Sequence, residues 1–265
     1  MSYSGVLKKM DTHNLETVEY YLEFKEDFIN INQHLNKKIE LDFLGSECLK
    51  CQAQHNIYRQ GLCYKCFYSS PSTGEWIMHP ELSKAHLDIE DRDLEYEKSV
   101  QLKPHIVYLA KSSNIKVGVT RETQIPTRWI DQGASEALAI LQVPNRYLAG
   151  ITEVSLKKHV SDKTNWQKML KNEPCKEDLI QVKEALIKHI PDQVKEYICK
   201  DNEILKIKYP VKRYPKKVKS LNLIKTKHFE GTLVGAKGQY LIFDDGSVFN
   251  IRNNEGQVIS LKISN

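Results

Sequence analysis

The sequence predicts an α+β protein: a small antiparallel sheet flanked by helices, joined to a cysteine-rich module and to β-rich terminal segments. Three observations lead there. Short runs rich in β-branched and aromatic residues occur near both ends, and over 106–119 two short apolar runs flank a polar turn, as in a hairpin. Apolar residues fall at helical spacing over 145–159 and 177–190. Two Cys-x-x-Cys pairs, Cys48/Cys51 and Cys63/Cys66, are separated by eleven residues.

With 265 residues, 40% of them hydrophobic and 28% charged, the chain has the composition of an ordinary globular protein able to bury a core. No apolar run approaches the ~20 residues that span a bilayer, and the N-terminus lacks a secretory signal, so the expected location is the cytoplasm, away from membranes. Three segments are expected. Residues 1–104 hold β segments, the cysteine module and an acidic linker; residues 105–200 form a central domain with a helical extension. Residues 201–265 hold a basic tract and C-terminal strands that pack with the N-terminal ones.

From the N-terminus, residues 18–24 and 38–44 are rich in β-branched and aromatic side chains and read as strands, with 30–36 as a loop or short helix. The cysteines follow. Each Cys-x-x-Cys knuckle turns both sulfurs inward, so Cys48, Cys51, Cys63 and Cys66 deliver four thiolates to one tetrahedral zinc ion at about 2.3 Å, as in a zinc ribbon. Four ligands leave no open position for substrate water, so the zinc is structural. Gly61 eases the second knuckle, and Lys50 and Lys65 soften the charge of the thiolates. A redox dithiol pair is the competing reading, although it needs only one such motif; a second is His55 replacing one cysteine. Cys175 and Cys199 are read as inert thiols. Residues 76–86 are expected to close over the zinc module, and the acidic stretch 88–97 to be a solvated helix or linker.

In the centre, residues 106–110 and 115–119 flank the polar Lys111-Ser112-Ser113-Asn114, a hairpin signal. A short helix with Arg128 and Trp129, a strand at 137–143 and a helix over 145–159 with Arg146 and Glu153 complete a small α+β unit. In this order the residues resemble the GIY-YIG nuclease superfamily. Val107-Tyr108 stands for the end of its first motif and Lys116-Val117-Gly118, followed by Thr120, for its second. Arg128 matches the helical arginine, Glu153 the metal-binding glutamate and Asn165 a site-flanking asparagine. The chain is also similar to an uncharacterised bacterial family that joins a four-cysteine zinc module to such a domain. It departs from the superfamily pattern at His105, near the first glycine, and at Lys116, in the place of the second tyrosine. Arg128 also lies further past Gly118 than is usual.

The resemblance implies metal-dependent phosphodiester hydrolysis. Such a reaction needs a deprotonated water, a cation on the developing charge and relief of charge on the leaving oxygen. Tyr108 is the expected base or relay, with Lys116 across the hairpin lowering its pKa. Arg128 is expected to clamp a phosphate, Glu153 to hold a magnesium or manganese ion, and Asn165 to position the leaving group or a loop. Each residue also has an ordinary role. Tyr108 suits a sheet aromatic, Lys116 an edge-strand charge and Arg128 a cover for apolar surface. Glu153 can pair with Lys157 at i,i+4 spacing, worth ~0.3–0.5 kcal/mol.

Beyond Asn165, helices are expected over 166–172 and 177–190. Residues 206–228 then carry nine Lys and Arg residues and no acid, so the net charge of +5 is concentrated there. With Tyr209, Tyr214 and Phe229 interleaved or adjacent, this composition suits phosphate neutralisation and base stacking; a solvated linker is the alternative. Lys212, Arg213, Lys216 and Lys217, with Arg146 from the central helix, are the expected nucleic-acid contacts. The C-terminus is β-rich, with Asp245-Gly246 as a hairpin turn. Two functions fit: a nucleic-acid-binding endonuclease, and a noncatalytic zinc-containing adaptor for DNA or RNA.

Overall fold

A computed structural model describes residues 1–25, 27–160 and 165–264. In chain order the regular elements begin with strands β1 (Ser2–Val6), β2 (Asp11–His13), β3 (Glu19–Glu23), β4 (Phe28–Asn30) and β5 (Lys38–Ser46), followed by helices α1 (Tyr64–Ser69) and α2 (Leu94–Gln101). The central elements are β6 (His105–Lys111), β7 (Ile115–Arg121), α3 (Thr127–Asp131), β8 (Glu136–Val143), α4 (Arg146–Lys157), α5 (Trp166–Leu170), α6 (Leu179–Ile187) and β9 (Leu205–Lys206). The last are β10 (Lys219–Ser220), α7 (Leu223–Thr226), β11 (His228–Lys237), β12 (Tyr240–Phe243), β13 (Ser247–Asn250) and β14 (Gln257–Ser264). The architecture is α+β, and no described helix is long and apolar enough to cross a membrane.

The chain divides into two compact units. The first contains residues 1–68, 130–133 and 208–265, and the second residues 69–129 and 134–207. Unit 1 is built on a seven-stranded sheet in the order β1-β14-β5-β11-β12-β13-β10, antiparallel except for the β10–β13 pair, and carries a small β2-β3-β4 sheet. The period-2 pattern of β14 explains its place: Ile259, Leu261 and Ile263 are buried while Lys262 and Ser264 are exposed. Ile263 lies opposite Ile39 and Leu261 opposite Leu41 of β5, so apolar pairs stack on one face. Each such side chain, when fully buried, stabilises by ~1.5–3 kcal/mol.

Unit 2 carries the sheet β7-β6-β8-β9. Val107, Leu109, Ile115 and Val117 point to one face and form a core with Ala149 and Leu156 of α4 and Leu179 and Leu186 of α6. The register pairs Tyr108 with Gly118 and Ala110 with Lys116, so Tyr108 and Lys116 share the opposite face, offset by two residues. Residues 76–86 belong to unit 2 and pack against α4. Their short 3-10 turns lie on α4 because Gly150 leaves a hollow there: a Cβ at Gly150 would overlap Glu81 N and Pro80 C and stand 2.7 Å from Glu81 Cα. The acidic stretch is also more than a solvated linker. Glu97, buried, accepts hydrogen bonds from the amides of Asp91, Arg92 and Asp93 at 2.8–3.1 Å, and Asp93 caps α2.

Candidate functional site

The cysteine module grows out of the end of β5. Leu49 N donates to Gly61 O, which ties the two knuckles together, and Gly61 adopts φ +72, a conformation favoured by glycine. The four sulfurs of Cys48, Cys51, Cys63 and Cys66 lie within 4.8 Å of one another, with Cys51 Sγ and Cys63 Sγ 4.0 Å apart. Four thiolates around one zinc ion stand about 3.8 Å apart, from a bond length of about 2.3 Å and tetrahedral angles. The donor set therefore fits a metal ion. The backbone contributes too: Cys63 N donates to Cys48 Sγ at 3.3 Å. Burial opposes ionisation of Cys48, yet amide donors from Cys51, Cys63 and Lys50 outweigh it and bring the thiol down to about 6. Burial and then the neighbouring sulfurs push Cys66 up to about 12. Four sulfurs this close cannot all become thiolates without a cation, which a divalent metal supplies. His55 is exposed and outside the cluster.

In unit 2 the sheet and α4 gather a second polar group. Arg146 stands at the start of α4, where Asn145 caps the helix by accepting from Leu148 N at 2.9 Å. Its Nε and a terminal nitrogen donate to Trp76 O and Ile77 O at 3.1 and 2.8 Å, and the guanidinium lies over the Trp76 ring. Burial lowers Arg146 to about 10, opposed by the nearby charge of Glu153, while Arg128 and Arg121 add to the lowering. Glu153, buried on the same helix, is raised by burial and held down in part by Lys157 and Arg146. Its Oε1 is 3.3 Å from Lys157 Nζ, so the i,i+4 pair forms. Arg121, Arg128, Glu153 and Glu81 are thus close enough to act on the charge of Arg146, and Lys157, Arg146 and Glu81 on that of Glu153.

His105 joins this group from β6. Its Nδ1 is 2.7 Å from Lys103 O and therefore carries the proton, while Nε2, buried, has no hydrogen-bond partner among the described residues. Burial brings its pKa down to about 4, with the charges of Arg146 and Arg121 acting in the same direction. The ring is neutral at pH 7.

The other predicted residues lie elsewhere in unit 2. Tyr108 is fully enclosed, packed edge-on against Trp129 with ring centroids 5.7 Å apart and seated on Gly118, where a Cβ would stand 2.7 Å from the phenol oxygen. Asn165 caps α5 by accepting from Lys168 N at 3.1 Å, and its own amide donates to Ser113 Oγ in the β6–β7 turn at 2.8 Å. The structure thus sets Arg128 and Glu153 each within electrostatic reach of Arg146, places Tyr108 and Lys116 on one sheet face and uses Asn165 as a cap. Sequence reasoning missed Arg121, Glu81 and His105. The alternation of β7 places Arg121 only on a strand face, and Glu81 is recruited through the packing at Gly150. Among the described residues, the cysteines are the one group of three or more potential metal ligands within reach of a single ion.

In unit 1, Lys212, Arg213, Lys216 and Lys217 are exposed along the connection toward β10. The tyrosines between them are turned inward, contrary to a stacking role. Tyr209 is buried and directs its hydroxyl to Ile130 O at 3.4 Å, and Lys237 Nζ lies 5.2 and 5.5 Å from the Tyr209 and Tyr214 ring centroids. Burial raises both phenols, which favours their neutral, packed form.

Residues 36–259 match the family described as "Protein of unknown function (DUF2797)", and the chain belongs to that family. No curated protein and no solved structure matches it.

Proposed function

We propose that this DUF2797 member is a zinc-stabilised nucleic-acid-binding protein whose unit 2 is a divergent GIY-YIG-like domain. The observation that carries the reading is the convergence of Arg121, Arg128 and Glu153 on the buried Arg146, in the order strand, strand, helix, strand, helix. Three guanidiniums confronting two carboxylates leave an excess of positive charge suited to a phosphate diester. Cys48, Cys51, Cys63 and Cys66 would hold the zinc as a cross-link within unit 1, with no position left for chemistry. Lys212, Arg213, Lys216 and Lys217 would add sequence-independent phosphate contacts.

A second reading, cleavage, is favoured by Glu153. Buried beside Arg146 and Lys157, its carboxylate would hold a magnesium or manganese ion, and such an ion would supply the means of lowering the pKa of a water for attack on phosphorus. Arg128 would then neutralise charge on the phosphate. The enclosure of Tyr108 and the lysine at position 116 weigh toward binding without cutting.

Labelled single-stranded, duplex and branched DNA and RNA, incubated with zinc-loaded protein and magnesium or manganese, test both. Cleavage by the parent and not by Glu153→Gln establishes the nuclease. Salt-dependent binding without cleavage in both proteins, weakened by charge reversal at Lys212, Arg213, Lys216 and Lys217, establishes the adaptor. Absence of binding at moderate salt refutes both.

A further inference from the structure

We infer that an aromatic face on the cysteine module, together with the basic cleft beside it, binds the unpaired bases and phosphates of single-stranded nucleic acid. This deepens the nucleic-acid reading above and rests on it. The interior of the module is already filled by Leu49, Ile57, Leu62 and Phe67 around the cysteines. Tyr58, Tyr64 and Tyr68 are left outside, 41%, 65% and 50% exposed. They are not scattered. The Tyr64 and Tyr68 centroids are 4.7 Å apart, those of Tyr58 and Tyr64 5.3 Å and those of Tyr58 and Tyr68 5.9 Å, and the Tyr58 and Tyr68 hydroxyls lie 3.3 Å from each other. A contiguous exposed aromatic patch on a folded surface marks a contact surface.

The charge around it selects the partner. Arg59 lies over the Tyr58 ring at 5.3 Å, and Lys50 and Lys65 are exposed within the two knuckles. Tyr58 and Arg59 also line a cleft of about 760 Å³ whose other charged residues are Lys227, Arg252 and Glu255. Three cations there face one carboxylate, and Glu255 already accepts from Lys9 N at 3.0 Å. Lys227 Nζ rests over the Phe43 ring, and Arg252 is 3.6 Å from Asp131, so both are held in place. Ring faces beside a cationic cleft are what a single strand requires: bases stack on aromatics and phosphates run along the cations, without reading sequence. Paired bases of a duplex have no free faces to offer the tyrosines.

The test uses the full zinc-loaded chain and fluorescence anisotropy with labelled oligo(dT), oligo(U) and a duplex of equal length. Tyr64→Ala/Tyr68→Ala is expected to weaken single-strand binding by about 5- to 150-fold for each stacked base lost, with duplex binding and zinc content unchanged. Tyr64→Phe/Tyr68→Phe, which keeps the rings, is expected to bind as the parent does. Arg59→Gln/Lys227→Gln, which changes neither a cysteine nor a tyrosine of the face, is expected to reduce the salt slope for single strands by about 0.7 per lost phosphate contact, which keeps the test decisive if the alanine pair disturbs the metal. Parent-like single-strand binding by the alanine pair and by Arg59→Gln/Lys227→Gln overturns this inference while leaving the general nucleic-acid reading intact. A parent that binds no nucleic acid overturns both, and capture of polyglutamate by the same tyrosines would then assign the face to an acidic protein partner.

Discussion

Replacing Gly150 by alanine sets two well-measured effects against each other. In the interior of a helix, Gly→Ala ordinarily stabilises by ~1 kcal/mol, because alanine has less conformational freedom to lose. At this position the added methyl would overlap the backbone of Pro80 and Glu81. Backbone atoms held in a 3-10 turn cannot rotate away as a side chain can, so the overpacking cost falls at the upper end of ~1–3 kcal/mol. The difference is a net destabilisation of about 2 kcal/mol. All three tryptophans, Trp76, Trp129 and Trp166, lie in unit 2, so intrinsic fluorescence during urea unfolding reports on the affected body. The expected result is a lower midpoint at unchanged slope. Val154→Ala, at an exposed position of the same helix, serves as control and should stay within about 0.5 kcal/mol of the parent. A Gly150→Ala protein as stable as the parent, or more so, would refute the account of how α4 is seated and with it the packing that recruits Glu81.

Two further perturbations follow from the sites. Cys66→Ser removes one of four sulfurs and is expected to abolish stoichiometric zinc binding and to speed amide exchange through residues 47–68; metal analysis showing one zinc per chain at parental affinity would contradict the four-thiolate centre. His105 gives a pH signature. Its folded pKa of about 4 lies below the usual 6.5, so between those values the unfolded chain binds a proton that the folded chain does not. Stability should therefore be intact above pH 6.5 and decline as pH falls toward 4, by about 3 kcal/mol at most. Comparing the pH dependence of urea unfolding with that of His105→Leu isolates the contribution, and identical profiles would exclude it.

The parts of this fold that the sequence made legible are local. The β6–β7 hairpin announces itself by two apolar runs around a polar turn, and apolar residues at helical spacing mark α4. The cysteine centre is legible because its spacing has few alternative meanings. The short strands β1, β2 and β4 carry too little pattern to be seen, and the pairing of β5 with β11 and β14 joins residues far apart in the chain. Burial decided what composition left open. Tyr209 looked like a stacking residue because it stands among lysines, yet it serves the interior. Glu97 looked like one of many solvated acids, yet its carboxylate organises a loop through three amides. In the second polar group, Arg128 and Glu153 were anticipated from their order, while His105 and Glu81 arrive only through packing.

The position of β14 between β1 and β5 has a consequence for synthesis. When the ribosome has made β1 and β5, the strand that separates them is still more than two hundred residues from completion in the numbering of the chain. Both wait with open edges through translation of the cysteine module and of unit 2. The seven-stranded sheet is therefore finished only after synthesis has passed β14, whereas the contiguous β6–β8 core is available earlier. Exposed edges held open for that interval are where a nascent chain meets other nascent chains, so the cell's chaperones have their longest opportunity on unit 1.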